Sequence, residues 1–146
     1  VQRRGGAMMR LSWQQFDSAC HVLSRRLSGG TLANIYGVPR GGLPLAVALS
    51  NALHLPLLVN DEVSVRLSPA TLIVDDIADH GVTIERLRKM FGPLRAAVWV
   101  QRDRAAHLEN IESVIRVVDD EWILFPWERA EHAADDQARF RSLRGQ

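Results

Sequence analysis

The chain has 146 residues, of which 47% are hydrophobic and 24% charged. These proportions fit one globular domain and exclude a mainly disordered chain, a collagen-like repeat and a coiled coil. Its 18 basic and 17 acidic residues leave a net charge of +1, too little to mark nucleic acid or anionic lipid as the main partner. Cys20 is the one cysteine, so an internal disulfide and a cysteine-built zinc site are excluded, and a reducing cytoplasm is expected. No apolar run approaches the roughly 18–20 residues of a membrane span. Residues 1–10 read as a disordered or vector-derived start. They are basic and Gly-containing, and they lack the apolar core of a signal peptide. Residues 11–146 read as a single domain.

Ser12 precedes an apolar series at Trp13, Phe16, Cys20, Leu23 and Leu27. That spacing predicts a helix, with Ser12 and Gln15 as a capping box and Gly29-Gly30 as the stop. Leu32–Val38 reads as a buried strand, broken by Pro39-Arg40-Gly41-Gly42. Leu43–Leu53 is Ala- and Leu-rich and reads as a helix. Leu55–Val59 is a second short strand, and Val63 and Val65 suggest a small hairpin arm within Asn60–Ala70. Thr71–Val74 is a third strand ending on Asp75-Asp76. A helix follows over Thr83–Phe91, closed by Gly92-Pro93. Ala96–Val100 and Val114–Val118 are the fourth and fifth strands. Trp122–Trp127 is an aromatic, Pro-containing segment, and Glu128–Arg144 reads as a helix, acidic first and basic last. Strands that are continuous apolar runs, alternating with helices, predict an α/β fold: a mostly parallel sheet flanked by helices.

The segment Thr71–Thr83 carries the most chemistry. Ligands of open α/β sheets bind beyond the carboxyl ends of the strands, where Asp75 and Asp76 are expected. Gly81 allows a positive φ and close backbone approach. The amides there and the start of the next helix form an anion site, to which Thr83 can add a hydroxyl. Two acceptor carboxylates beside a phosphate cradle suit a sugar phosphate. Taken alone, an Asp-Asp pair can also simply end a strand, with Asp79 capping a helix. A DDxxD string also occurs in helical prenyl-diphosphate enzymes, but the β-branched strand before it and the Gly81 turn argue against that.

The string LIVDDIADHGVT, Leu72–Thr83, resembles the phosphoribosyl-diphosphate (PRPP) signature of type I phosphoribosyltransferases. Strand, acids, glycine and hydroxyl are all in register. Gly37–Leu43 resembles the family's pyrophosphate loop, and the order of the two motifs agrees. The Trp13 helix and the Trp122…Pro126-Trp127 segment resemble the bacterial xanthine-guanine branch. The resemblance runs from Leu11 to about Glu128 and implies the family's fold, with a shortened lid.

It also implies roles. Asp75 and Asp76 would meet the ribose hydroxyls, directly or through Mg²⁺, itself held mostly by substrate oxygens and water. Asp79 would be the catalytic group near N7 of a purine. Ala78, Asp79, His80, Gly81, Val82 and Thr83 would cradle the 5′-phosphate. Pro39, Arg40 and Gly41 would bind pyrophosphate, with a cis peptide between Pro39 and Arg40. Trp122, with Ile123 beside it, and Arg102 would bind the base. Arg102 falls close to a family lysine that reads the 6-oxo group. The implied activity is Mg²⁺-dependent transfer from PRPP to a 6-oxopurine in purine salvage, by a cytoplasmic homo-oligomer with no nucleic-acid or membrane partner.

Four departures stand out. His80 replaces a Ser/Thr of the phosphate loop. Only Asn60–Ala70 is available as a lid, which should let hydrolysis compete with transfer. Arg102 stands for lysine, a change of donor geometry. Leu124 replaces an acidic residue two positions after the branch's tryptophan, so hypoxanthine ranks at least equal to guanine, with adenine last. A non-catalytic PRPP or nucleotide binder of the same fold is the competing reading, followed by transfer to a different base. Elsewhere, Trp13, Phe16, Leu23 and Trp99 are expected in the core, Trp127 packs the tail, and Cys20 is a buried inert thiol. The remaining histidines lack ligand spacing.

Overall fold

A computed structural model describes residues 8–59, 66–119, 121–132 and 135. The chain divides into two compact units, one built from 1–17 with 120–146 and the other from Ser18–Asp119. Most of Asn60–Ala70, with the expected hairpin arm, and most of the final predicted helix lie outside the described residues.

In chain order the elements are strand β1 (Met8–Arg10), helix α1 (Trp13–Leu27), β2 (Asn34–Gly37), α2 (Leu43–Leu53), β3 (Thr71–Ala78), α3 (Val82–Phe91), β4 (Arg95–Arg102), a 3₁₀ turn (Asp103–Ala105), β5 (Ile111–Val117) and β6 (Trp122–Leu124). The capping box at the start of α1 forms as predicted. The Ser12 amide donates to Gln15 Oε1 at 2.8 Å and the Gln15 amide to Ser12 Oγ at 3.1 Å. Past its end, Gly29 takes a φ of +75°.

The larger unit holds a four-stranded sheet in the order β2-β3-β4-β5, parallel throughout. β4 is buried from Ala96 to Arg102, as the apolar run Ala96–Val100 requires of an inner strand. Helices α2 and α3 lie on opposite faces of the sheet. On one, Gly37 leaves room for α2: a β-carbon there would stand 2.6 Å from that of Ala46. On the other, Ile84 of α3 packs with Ile73, Ala96 and Val98. The smaller unit pairs β1 with β6, Met8 opposite Trp122 and Arg10 opposite Leu124.

Several expectations change. Leu55–Val59 is not a full strand: it lies beside β2 through a single bridge, Leu57 to Ile35, with the Ile35 amide on the Pro56 carbonyl. β3 does not stop before the acidic pair but continues to Ala78, because β4 offers it partners as far as Gln101. Met8–Arg10, set aside with the start of the chain, make a strand. Trp13 is 57% exposed rather than in the core. It meets Phe16 edge-on at 5.4 Å and Trp127 at 6.2 Å. Cys20 is half-buried rather than fully enclosed. Leu23 and Trp99 are core residues as expected. Among the described residues no helix is long and apolar enough to cross a membrane.

Candidate active site

The candidate site lies in the larger unit, where β2 and β3 run out toward their carboxyl ends. β2 turns through Val38–Gly42 into α2. The Val38 amide donates to the Val74 carbonyl at 2.8 Å, and the Gly42 amide closes the turn on Val38 at 2.9 Å. The Pro39–Arg40 peptide is cis, as the sequence resemblance implied, and Arg40 is exposed. Neither turn glycine has room for a side chain. A β-carbon on Gly42 would stand 2.9 Å from Asp75 Cα, and one on Gly41 would stand 2.8 Å from Asp76 Cγ. The predicted pyrophosphate turn and the acidic pair are therefore in direct contact.

Strand alternation puts Asp76 on the face of Val74 and α2, where Gly41 meets it. Asp75 Oδ1 accepts the Asp76 amide at 2.9 Å, and Asp76 Oδ1 accepts the Ile77 amide at 2.8 Å. Burial pushes the Asp76 carboxyl above the ordinary carboxylate range, despite opposing hydrogen bonds from the Asp75 side chain and backbone amides. Burial also pushes the Tyr36 hydroxyl up, with the Asp75 charge adding to it.

Beyond β3, Asp79 and His80 lead to Gly81, whose φ is +81°. A β-carbon on Gly81 would stand 2.8 Å from Leu108 Cδ1, so both conformation and packing select glycine. The first bond of α3 runs from the Glu85 amide to Gly81 at 3.0 Å. The amides of Val82, Thr83 and Ile84 thus lie outside the helix's own ladder, at its positive end. Val82 and Thr83 are exposed.

Asp79 is buried. Register explains its neighbour: Ala78 pairs with Gln101, so Asp79 emerges beside Arg102. Arg102 Nε lies 2.9 Å from Asp79 Oδ1, an ion pair without hydrogen-bond alignment. Its Nη1 donates to the Val118 carbonyl at 3.0 Å. Arg104, in the 3₁₀ turn, donates to the same Oδ1 through Nε at 2.9 Å and also through Nη2.

No protein-family model matches the chain. A xanthine-guanine phosphoribosyltransferase of Cereibacter sphaeroides is 26% identical over 147 residues, covering 82% of this chain and 86% of that protein. The solved purine phosphoribosyltransferase of Pyrococcus horikoshii is 29% identical, with a TM-score of 0.67 over 84% of this chain and 94% of that one. The chain is similar to bacterial xanthine-guanine phosphoribosyltransferases and shares the fold of a purine phosphoribosyltransferase. A hypothetical protein of Neisseria gonorrhoeae, solved with bound ppGpp, matches 99% of this chain and 100% of its own at TM-score 0.67 and 20% identity, a likeness of fold.

Within this phosphoribosyltransferase fold, the structure gathers Pro39, Arg40, Gly41, Asp75 and Asp76 at the β2 and β3 ends of the sheet. Ala78–Thr83 follow on the same chain segment. Asp79 and Arg102 come together as an ion pair, so Arg102 is not a free donor in this arrangement. Trp122 and Ile123 belong to the other unit, in β6. Ile123 is buried, and the indole N–H of Trp122 is buried with no hydrogen-bond partner among the described residues. Sequence reasoning missed Arg104. Its only trace is the Arg-Asp-Arg run at the carboxyl end of β4, the strand next to the one that carries Asp79.

Proposed function

We propose that the chain transfers the phosphoribosyl group of PRPP to a purine base and releases pyrophosphate, with Mg²⁺ present. The observation that carries this is the contact between the Gly41 turn and Asp76, at the sheet end where α3 begins. Xanthine-guanine and purine phosphoribosyltransferases among its relatives support the reaction class.

Each group has a part in this reading. Arg40 and the turn amides neutralise the leaving pyrophosphate. Asp75 and Asp76 orient the ribose hydroxyls, and the free amides of α3 hold the 5′-phosphate. The protein contributes positioning and charge stabilisation. Among the described residues no group of three or more His, Cys, Asp or Glu could hold a metal by itself. Two adjacent carboxylates do fit Mg²⁺, which keeps substrate oxygens and water as its remaining ligands. When bound, the ion offsets the charge of the diphosphate. The 6-oxopurine preference and a homo-oligomeric cytoplasmic enzyme belong to the same reading.

A non-catalytic nucleotide binder of the same fold is the second reading. The capture of Asp79 by Arg102 and Arg104 favours it, since that carboxylate is the proposed partner of the base. Titration calorimetry tests what both readings share: PRPP with Mg²⁺ should bind, and pyrophosphate should compete. No heat at millimolar PRPP would remove both.

A further inference from the structure

We propose that Arg104 is a specificity-determining residue that gives the acceptor side of this site a net positive charge. The acceptor it selects is a nitrogen heterocycle already ionised at neutral pH, in preference to a neutral base. This rests on the reading of Asp79 as the residue that faces the base.

One carboxylate here meets two guanidiniums. Asp79 Oδ1 takes Nε and Nη2 of Arg104 and lies 2.9 Å from Nε of Arg102. Guanidinium groups stay charged at any working pH, so these three side chains sum to one positive charge. The Arg102 and Asp79 side chains are only 7% and 9% exposed, which limits screening by solvent. The two acids beside Arg104, Asp103 and Asp119, are at the surface. Asp119 accepts the Arg104 amide at 2.9 Å, and Asp103 lies 3.9 Å from Arg116. Both are exposed, where solvent and salt weaken their effect.

The bookkeeping of the transfer points the same way. The base nitrogen's lone pair forms the bond to C1′ of the ribose. The bond from C1′ to the pyrophosphate oxygen breaks, and its electron pair leaves with pyrophosphate. A neutral base must also give up its N–H proton, and Asp79 Oδ1 already takes two donors from Arg104 beside the Arg102 guanidinium. An ionised base has no such proton to lose, and its negative charge meets the excess positive one. To use a neutral base, Arg104 has to withdraw from Asp79. At 29% exposure, it is the less enclosed of the two arginines.

The test compares two acceptors of equal shape and different acidity, hypoxanthine and its 8-aza analogue. Pyrophosphate release is measured at one near-neutral pH for the wild type, Arg104→Gln and Arg104→Lys. The wild type should favour the acidic analogue by about tenfold or more in kcat/KM, the worth of one modest charge contact. Arg104→Gln should bring that ratio toward one, and Arg104→Lys, which keeps the charge, should retain most of it. A wild-type ratio at or below one, or an unchanged ratio in folded Arg104→Gln, overturns the proposal. If Arg104→Gln fails to fold, the wild-type ratio decides alone. Turnover of both acceptors at equal rates sinks this proposal and leaves the transfer reading standing. No release with any base sinks both.

Discussion

Gly41 lies against the carboxylate of Asp76, with no room between them for a single methyl group: a β-carbon at Gly41 would stand 2.8 Å from Asp76 Cγ. One contact thus joins the turn after β2 to the acidic pair of β3. Gly41→Ala must push Asp76 aside or lift the turn. Overpacking of this kind costs roughly 1–3 kcal/mol, and each kcal/mol moves the melting temperature by about 2–4 °C in a chain of this size. Thermal melting should show that loss, and calorimetry should show a larger loss of PRPP binding. A variant that melts and binds like the wild type would show that the two motifs are not coupled.

Asp76→Asn should separate stability from binding. Desolvation raises the Asp76 carboxyl above its usual range, so the folded state holds that proton more tightly than the unfolded state. Its contribution to stability is present below the unfolded pKa and lost as pH rises through the folded value. At neutral pH the asparagine variant should therefore melt above the wild type, and the gap should close as the pH falls into the acid range. Asparagine can still accept the Ile77 amide, so the local turn survives. PRPP binding should weaken about ten- to a hundredfold, since a charge-assisted hydrogen bond is worth roughly 1.5–3 kcal/mol. Asp75→Asn should weaken it similarly. Unchanged PRPP affinity in both variants would assign the pair to structure alone.

Asp79→Asn leaves Arg102 buried without its carboxylate. Removing one member of a buried ion pair costs about 3–5 kcal/mol. The Val118 carbonyl still holds Arg102 Nη1, which argues for the lower end of that range. Denaturant unfolding measures it. A loss under about 1 kcal/mol would show that solvent already satisfies the guanidinium.

Much of this was legible along the chain wherever the signal is local. The Ser12–Gln15 box and the Gly29 stop bracket α1, and Leu43–Leu53 matches α2. The turn at Gly81 could be read from glycine's freedom alone. The end of β3 could not. Two carboxylates look like a strand stop, yet β4 supplies partners past them to Ala78. Leu55–Val59 has the composition of a strand, but only Leu57 bridges to β2. Trp13 sits at a helical apolar position and is exposed, because its ring packs on Phe16 and Trp127 rather than inward. The hold of Arg104 on Asp79 joins residues 25 positions apart. Only strand register brings them together, and no spacing along the chain encodes it.

The central claim is phosphoribosyl transfer, and pyrophosphate release tests it most directly. The purified chain is given PRPP and Mg²⁺ with hypoxanthine, guanine, xanthine or adenine, or with no base. The account predicts release that depends on an added oxopurine, well above a measurable base-free hydrolysis, and lost in Asp76→Asn. Tight PRPP binding with no base-dependent release for any of the four would contradict it and leave the nucleotide binder as the reading that stands.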